Sequence, residues 1–282
     1  MNFAPQPLAA GLYLVSTPIG NARDITLRAL DVLAGADVIA AEDTRTARKL
    51  MEIHGLSSAG RQMLAYHDHS SDRARVARAA TTGSVAYVSE AGTPLLADPG
   101  FRLARDVRAA GGAVTAVPGA SALLAALAVG GQPTDRFLFA GFLPATAAAR
   151  RGVIAELARV PATLVFYESP GRVAALLADL VETLGAERHG AICRELTKKF
   201  EEVAEGPLGE LVARLGEMVV KGEFVVLVAP PGAAAVSEDD VDAALAQAME
   251  TMRVKDAANA VAGALGLPRR DVYQRALGLS RK

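Results

Sequence analysis

Strand-like and helix-like segments alternate along most of the chain, and this alternation constrains the fold more than any other feature. Apolar runs predict five strands in the first half, at residues 12–16, 37–41, 84–89, 113–117 and 136–142. Helical patterns lie between several of them, such as the apolar series from Ile25 to Leu33, for which Asp24 is the predicted N-terminal cap. Such alternation predicts an α/β domain with a largely parallel sheet.

A second α/β series begins after the segment GFLPATAAARR. Strands are predicted at residues 163–169, 190–196, 199–206 and 223–229, with helices near 171–185 and 207–219. The segments EEVAEG and EFVVLV suggest antiparallel pairing with each other, so we expect a mixed sheet. The predicted domain boundary lies near Leu143, which gives an N-terminal α/β domain at 1–143 and a second α/β domain at 144–230.

The last part of the chain is predicted to be helical. PPGAAAVSEDD, residues 230–240, has the composition of a linker. Helical patterns follow at about 238–250, 254–265 and 269–279, so residues 237–282 form a helical C-terminal extension. Its outline of helix, Gly-Leu-Pro turn and helix fits a helix-turn-helix, and it also fits a plain helical hairpin.

Composition excludes several classes of protein. With 282 residues, of which 51% are hydrophobic and 22% charged, the chain can bury a large core. Its one cysteine, Cys193, excludes a disulfide framework. His67 and His69 could suggest a metal pair, but no third ligand follows at a suitable spacing, so we predict no metal. We expect no membrane association and a cytoplasmic location, and the net charge of −1 confines any nucleic-acid site to a local patch.

Three turns of the first domain predict a shared ligand site. STPIGN (16–21), SEAGTPLLADPG (89–100) and the turn from Val117 to Ser121 each begin at the carboxyl end of a predicted strand, where open α/β sheets bind ligands. They contain neither a dinucleotide-binding glycine pattern nor lysine. The expected ligand is therefore small, with a carboxylate or a positive centre. Each turn alone also fits an ordinary strand-to-helix connection.

Charged groups in the second domain predict a different contact. Arg194, Lys198 and Lys199 lie close together in RELTKKFEE, with Glu195 among them. Such a mixture suits a phosphate-rich ligand beside an acid–base group, and it equally suits a solvated strand end.

Seven segments together resemble one family from about Gly11 to Ala229. They are LYLVSTPIGNARDITLRAL, AAEDTRTARKL, SEAGTPLLADPG, PGASALLAAL, FLFAGFLP, FYESPGR and RELTKKFEE. They are similar to the ribosomal RNA small subunit methyltransferase I family of the tetrapyrrole methylase superfamily. The tail resembles the helical extension that some members carry.

The resemblance implies an S-adenosyl-L-methionine-dependent enzyme with two α/β domains and the cofactor bent in the cleft between them. It implies 2′-O-methylation of a cytidine in the decoding region of small-subunit (16S) ribosomal RNA, with the 30S subunit as the expected substrate, by a homodimer. By motif matching, the cofactor contacts fall on Pro18, Ala91, Gly92, Thr93, Leu96, Ser121, Ala122, Glu168 and Leu196. Glu90, Ala120 and Gly171 depart from the family's usual aspartate, proline and histidine.

A ribose hydroxyl is a weak nucleophile, so a nearby base would assist methyl transfer. Glu195 is the candidate base, and it could equally be an ion-pair partner of Arg194 or Lys198. Arg194, Lys198 and Lys199 are the predicted RNA contacts. Two alternatives stay open at this point: methylation of a tetrapyrrole carbon, and a non-catalytic RNA-binding module that keeps the fold.

Overall fold

The computed structural model describes residues 7–66, 73–232, 238–265 and 268–280. The chain divides into two compact units, Met1–Pro230 and Pro231–Lys282. His67 and His69, and the basic residues at 281 and 282, lie outside the described residues. No helix among the described residues is long and apolar enough to cross a membrane.

The first half of the larger unit contains a five-stranded parallel sheet in the order β3-β2-β4-β1-β5. Its strands are β1 (Gly11–Val15), β2 (Val38–Ala41), β3 (Gln62–Ala65), β4 (Ser84–Val88) and β5 (Val114–Val117). Its helices are α1 (Leu27–Gly35), α2 (Thr44–Ile53), α3 (Arg73–Thr82), α4 (Phe101–Ala109) and α5 (Ala122–Val129). The parallel sheet and four of its strands were predicted. The edge strand β3 was not, because only Leu64 among its four residues is buried.

The start of α1 differs from the prediction. Asp24 lies in a single 3-10 turn, Ala22–Asp24, and the N-cap of α1 is Thr26, whose hydroxyl accepts a hydrogen bond from Ala29 N. The chain remains extended at Ile25 and Thr26, so the helix begins two residues later than an Asp24 cap would place it.

The second half contains a mixed five-stranded sheet in the order β6-β7-β10-β8-β9. Its strands are β6 (Phe137–Phe142), β7 (Thr163–Glu168), β8 (His189–Arg194), β9 (Glu202–Pro207) and β10 (Phe224–Val228). Its helices are α6 (Ala147–Leu157), α7 (Val173–Leu184) and α8 (Leu208–Glu217).

Two predictions about this sheet need correction. The strand β9 pairs with β8 and not with β10, which lies between β7 and β8. The strand β6 pairs with β7, so the chain changes sheet before Phe137, whereas a boundary at Leu143 assigns β6 to the first domain. Strand pairing is decided by packing across the whole domain, which the local sequence does not reveal.

Each sheet is covered on both faces. In the first sheet, α1 and α2 pack on one face and α3 and α4 on the other. In the second sheet, α6, α7 and α8 cover one face. Its other face packs against α5 and Ile19 from the first half of the chain. One buried cluster therefore contains residues from both halves of the larger unit and lies at the junction between the two sheets.

The smaller unit consists of α9 (Glu238–Met249), α10 (Val254–Leu265) and α11 (Arg269–Leu279), in agreement with the three predicted helices. Apolar residues from all three helices, including Leu245, Val261 and Val272, form its core. Arg275 pairs with Asp242, which ties α11 to α9. Arg269 and Arg270, at the start of α11, are exposed.

Candidate active site

The three turns that were predicted to share a site lie side by side. They follow β1, β4 and β5, which are neighbours in the order β4-β1-β5. Because these strands are parallel, their carboxyl ends meet at one edge of the sheet. The sheet topology confirms the predicted grouping of the turns.

Hydrogen bonds join the three turns into one scaffold. Thr17 and Gly92 exchange two backbone hydrogen bonds, with N···O distances of 2.9 and 3.0 Å. The Ser16 hydroxyl donates to Thr93 Oγ1 at 3.1 Å, and the Thr93 hydroxyl donates to the Ala120 carbonyl at 3.0 Å. The Thr93 hydroxyl therefore donates within the scaffold, and its proton is not available to a ligand.

The first turn also contacts the second half of the chain. A Cβ atom on Gly20 would collide with the Lys198 side chain, and Asn21 N donates to Thr197 Oγ1 at 3.1 Å. The glycine of STPIGN is therefore required by the close approach of the segment that contains Lys198. Ile19, in the same turn, reaches the ligand cavity described next.

A cavity of about 330 Å³ lies between the two sheets. Seven of the nine predicted cofactor positions line it: Ala91, Gly92, Thr93, Leu96, Ser121, Ala122 and Glu168. Pro18 and Leu196 are not among its lining residues. Leu196 is buried beside Ile19 in the core between the sheets, so it supports the cavity wall from behind.

Aromatic side chains form the wall contributed by the second sheet. The Tyr167 ring packs edge-on against Phe139 and Phe142, with centroid distances of 4.8 and 5.8 Å. The Tyr167 hydroxyl oxygen accepts a hydrogen bond of 2.9 Å from Leu123 N, at the start of α5. Burial raises the pKa of Tyr167, and the nearby Asp98 carboxylate adds to the shift. A neutral phenol thus joins the two halves of the cavity.

Glu168 is a buried carboxylate at the cavity wall, with 3% of its surface exposed. Its Oε1 accepts a hydrogen bond of 2.8 Å from Ser169 N. Its Oε2 lies 3.2 Å from Arg172 Nη2 in an ion pair, yet it accepts no hydrogen bond from the described residues. A buried carboxylate oxygen with unused acceptor capacity at a cavity wall indicates a ligand that donates a hydrogen bond.

Asp98 also lines the cavity, and the prediction from sequence missed it. Burial raises the pKa of Asp98 to about 6, the Ser89 hydroxyl opposes this by hydrogen bonding, and the carboxylates of Glu42 and Glu90 raise the pKa further. The signal was available in the sequence, because Asp98 belongs to the turn SEAGTPLLADPG. The sequence did not show that Asp98 is partly buried in the folded chain or that Glu42 and Glu90 lie close enough to raise its pKa.

The structure does not bring Glu195, the predicted base, to the cavity lining. Glu195 Oε1 accepts hydrogen bonds of 2.7 Å from Lys198 Nζ and 3.1 Å from Glu223 N. Burial alone would raise the pKa of Glu195, but these hydrogen bonds hold it below its usual value. The arrangement favours the alternative of an ion-pair partner, since a strongly paired carboxylate with a lowered pKa is a weak base.

The three predicted RNA contacts differ in their availability. Arg194 is 7% exposed, and its guanidinium donates to the Lys221 and Phe200 carbonyls. This engagement removes Arg194 from a phosphate contact. Lys198 Nζ is paired with Glu195 and with Glu223, at 2.7 and 2.9 Å. Both basic groups therefore stabilise the segment itself.

Lys199 is the exposed cation of this segment. Its Nζ lies 5.4 Å from the centroid of the Phe200 ring, and the Phe200 side chain is 63% exposed. An exposed cation beside an exposed aromatic ring is a combination that suits single-stranded nucleic acid.

The three departures from the family pattern lie in different surroundings. Glu90 is exposed at the cavity mouth, where its N–H donates to Glu42 Oε2 at 3.3 Å. The Ala120 carbonyl accepts from Thr93, and the Ala120 side chain packs against the core between the sheets. Gly171 is exposed, and a Cβ atom there would have nothing within 4 Å. The position of Gly171 has room for the larger side chain that is usual in the family.

Two families match the chain. The family described as "Tetrapyrrole (Corrin/Porphyrin) Methylases" matches residues 11–212, and "RsmI C-terminal HTH domain" matches residues 235–280. Curated relatives match nearly the whole length. A "Ribosomal RNA small subunit methyltransferase I" from Mesorhizobium japonicum is 46% identical, with 97% of this chain and 94% of the relative covered. A protein of the same name from Escherichia coli O157:H7 is 40% identical, with 94% of both covered.

Solved structures show the same fold. Uroporphyrin-III C-methyltransferase from Thermus thermophilus, in complex with S-adenosyl homocysteine, has a TM-score of 0.54 and 23% identity, covering 78% of this chain and 97% of that one. The cobalt precorrin-4 methyltransferase CbiF has a TM-score of 0.58 and 16% identity, covering 78% and 95%. At these identities the similarity concerns the fold alone.

Proposed function

The chain belongs to the ribosomal RNA small subunit methyltransferase I family of the tetrapyrrole methylases, and from this premise we propose that it methylates small-subunit ribosomal RNA with S-adenosyl-L-methionine. The proposed acceptor is the 2′-hydroxyl of a cytidine ribose in the decoding region of 16S ribosomal RNA. The observation that carries the proposal is the single cavity in which three glycine- and proline-bearing turns meet Glu168 from the second sheet.

The cavity fits S-adenosylmethionine in three respects. Gly92 has a φ of +77°, and a Cβ atom there would lie 3.2 Å from Ile19 Cγ2, so the backbone stays open to a ligand only with glycine. Glu168 Oε2 offers an unused buried acceptor to an amino or hydroxyl group. The aromatic wall with Tyr167 and Phe142 offers apolar surface to a flat ring.

The cofactor brings a methyl group that its sulfonium has already activated, so alignment of the two reactants supplies much of the rate. In the proposed complex the turn around Gly92 and the start of α5 at Ser121 and Ala122 hold one side of the ligand. Glu168 holds a donor group on the other side and is itself fixed by Ser169 N and Arg172. Because hydrogen bonds connect the three turns, the binding groups are in position before the ligand arrives.

The smaller unit is proposed to dock the RNA. The exposed start of α11 presents Arg269 and Arg270, and Tyr273, one turn further, is 37% exposed. In a helix-turn-helix the first residues of the second helix contact nucleic acid. Replacing Arg269 and Arg270 by alanine is expected to weaken binding of small subunits about tenfold, the order for lost hydrogen bonds between charged groups. Calorimetric affinity for S-adenosylmethionine should be unchanged.

A methyl-transfer assay tests the proposal. The chain should transfer the labelled methyl group of S-adenosylmethionine to 30S subunits that lack this modification, with the label on one cytidine ribose. Uroporphyrinogen III serves as the competing acceptor, because solved neighbours of this fold methylate tetrapyrroles. Label on the tetrapyrrole would favour the rival enzyme, and cofactor binding without transfer to either acceptor would favour an RNA-binding module.

A ribosomal substrate also implies a cytoplasmic location, and the family resemblance implies a homodimer.

A further inference from the structure

Four carboxylates line the cavity, and they differ in their partners. They belong to Glu90, Asp98, Glu168 and Glu223. Glu168 pairs with Arg172, and Glu223 pairs with Lys198. Glu90 is exposed at the mouth. Among the residues that the structure describes, no basic group pairs with Asp98 or lowers its pKa. Asp98 is therefore the partly buried carboxylate of the cavity that a proton can reach without displacing a cation.

The backbone around Asp98 is held in an unfavourable conformation. Leu95 and Ala97 have φ angles of +75° and +62°, which cost free energy for residues other than glycine. The Tyr87 hydroxyl donates to the Pro99 carbonyl at 3.0 Å, and a Cβ atom on Gly100 would lie 2.7 Å from Tyr87 Cε1. The buried Tyr87 thus anchors the loop from below and holds Asp98 at the cavity.

The charged groups around Asp98 favour its protonated form. Glu42 follows β2, Glu90 follows β4, and both repel the ionised carboxylate, while the neutral Tyr167 faces it from β7. Among the residues that the structure describes, the Ser89 hydroxyl favours ionisation of Asp98. With its pKa raised to about 6, Asp98 is ionised at neutral pH and basic enough to take a proton. Glu195 is also ionised at neutral pH, but its lowered pKa makes it a weaker base than Asp98.

We propose that Asp98 is the catalytic residue that accepts the proton of the attacking hydroxyl, which rests on the methyl transfer proposed above. The hydroxyl oxygen forms a bond to the methyl carbon as the carbon–sulfur bond breaks, and the electron pair of that bond stays on sulfur. The hydroxyl proton passes to the Asp98 carboxylate, which becomes a neutral carboxylic acid and later releases the proton to solvent. Atoms and charge balance without a further reactant.

The Asp98→Asn variant tests this role, with Asp106→Asn as the matched control. Asp106 lies on α4 and pairs at the surface with Arg73. At saturating S-adenosylmethionine and 30S subunits, Asp98→Asn should lower the single-turnover rate about 100-fold, the lower end for general base catalysis. Asp106→Asn should keep the wild-type rate. The affinity of Asp98→Asn for S-adenosylmethionine, measured by calorimetry, and for 30S subunits should stay within about threefold of wild type.

Each outcome decides a different point. A normal rate in Asp98→Asn overturns the inference, and loss of S-adenosylmethionine binding overturns it in favour of a cofactor contact. The wild-type rate should fall as pH decreases through about 6, where Asp98 becomes protonated. A flat acid limb in the wild type overturns the inference even when the variant fails to fold. A wild-type chain that methylates no ribosomal RNA overturns the proposed function first.

Discussion

Two loops of the larger unit have the same unusual backbone and opposite side-chain surroundings. The loop at residues 95–98 follows β4, and the loop at residues 195–198 follows β8. Each contains two non-glycine residues with positive φ separated by one position, at 95 and 97 and at 195 and 197. In the second loop the charged groups pair with one another, since Lys198 contacts both Glu195 and Glu223. In the first loop Asp98 faces a cavity, and none of the basic groups in the described parts of the chain pairs with it.

The comparison shows that backbone strain alone does not identify a catalytic group. Strain in the 195–198 loop is accompanied by satisfied polar groups, which is what a structural junction requires. Strain in the 95–98 loop is accompanied by a carboxylate with a raised pKa at a ligand cavity, which is what a reactive group requires. We infer that the first loop serves the ligand and the second loop joins the two halves of the chain.

The largest expected effect is on cofactor binding next to the first loop. Gly92→Val places a branched side chain on a residue with φ +77° and against Ile19 at the cavity. We expect the affinity for S-adenosylmethionine to fall about 100-fold, which corresponds to an overpacking cost of about 3 kcal/mol. Calorimetry measures the affinity, and circular dichroism checks that the variant is folded.

Gly152→Val is the matched control for this substitution. Gly152 is exposed on α6, and a Cβ atom there meets nothing within 4 Å. This variant should bind the cofactor as the wild type does. A folded Gly92→Val variant with normal affinity would show that the cavity is not the cofactor site.

A smaller effect is expected for the carboxylate of the second loop. Glu195→Gln weakens the contacts to Lys198 Nζ and Glu223 N, so the folded state should lose about 1 kcal/mol. The single-turnover rate at saturation should stay within about twofold of wild type, because Glu195 does not line the cavity. A large loss of rate in a stable Glu195→Gln variant would contradict the assignment of the second loop to a structural role. Glu195 would then be the candidate base again.

The smallest expected effect separates the two adjacent lysines. Lys199 is exposed beside Phe200, whereas Lys198 is bound by two carboxylates. Lys199→Ala should reduce the salt dependence of RNA binding by about 0.7–0.9 in the slope of log affinity against log salt. Lys198→Ala should leave the slope unchanged and lower the unfolding temperature. Equal slopes for both variants would contradict the assignment of Lys198 to the junction.

Much of the fold could be predicted from local sequence patterns. The three turns could be grouped because each followed an apolar run, and the helices of the tail could be bounded because their apolar residues recur at helical spacing. Partner choice in the second sheet was not local. The segment EEVAEG has the same appearance whether it pairs with β8 or with β10, and β6 lies at the sequence boundary between two sheets that both accept an apolar strand.

The site was predicted less completely than the fold, for an electrostatic reason. Residue type shows that Arg194 and Glu195 carry charge. It does not show that backbone carbonyls bind the Arg194 guanidinium and that Lys198 binds the Glu195 carboxylate in the folded chain. The same limitation hid Asp98, since its raised pKa arises from burial and from Glu42, which is distant in sequence. Motif position identified the cavity, and only the three-dimensional arrangement identified which carboxylate is reactive.

The most direct test of the contrast between the loops is the pH dependence of unfolding for Asp98→Asn and Glu195→Gln, measured in parallel without ligand. The folded-state pKa of Asp98, about 6, exceeds its ordinary 3.8, so ionisation costs the wild type stability as pH rises from about 4 to about 6. Asp98→Asn should therefore unfold at a higher temperature than wild type at pH 8, and the gain should shrink below pH 6.

The pKa of Glu195 is lowered below 4.5, so its stabilising contribution is present above that pH and is lost as pH falls. Glu195→Gln should accordingly be less stable than wild type at pH 8, with a deficit that narrows in acid. Opposite signs at pH 8 are the predicted result, and a loss of stability in both variants would contradict the account.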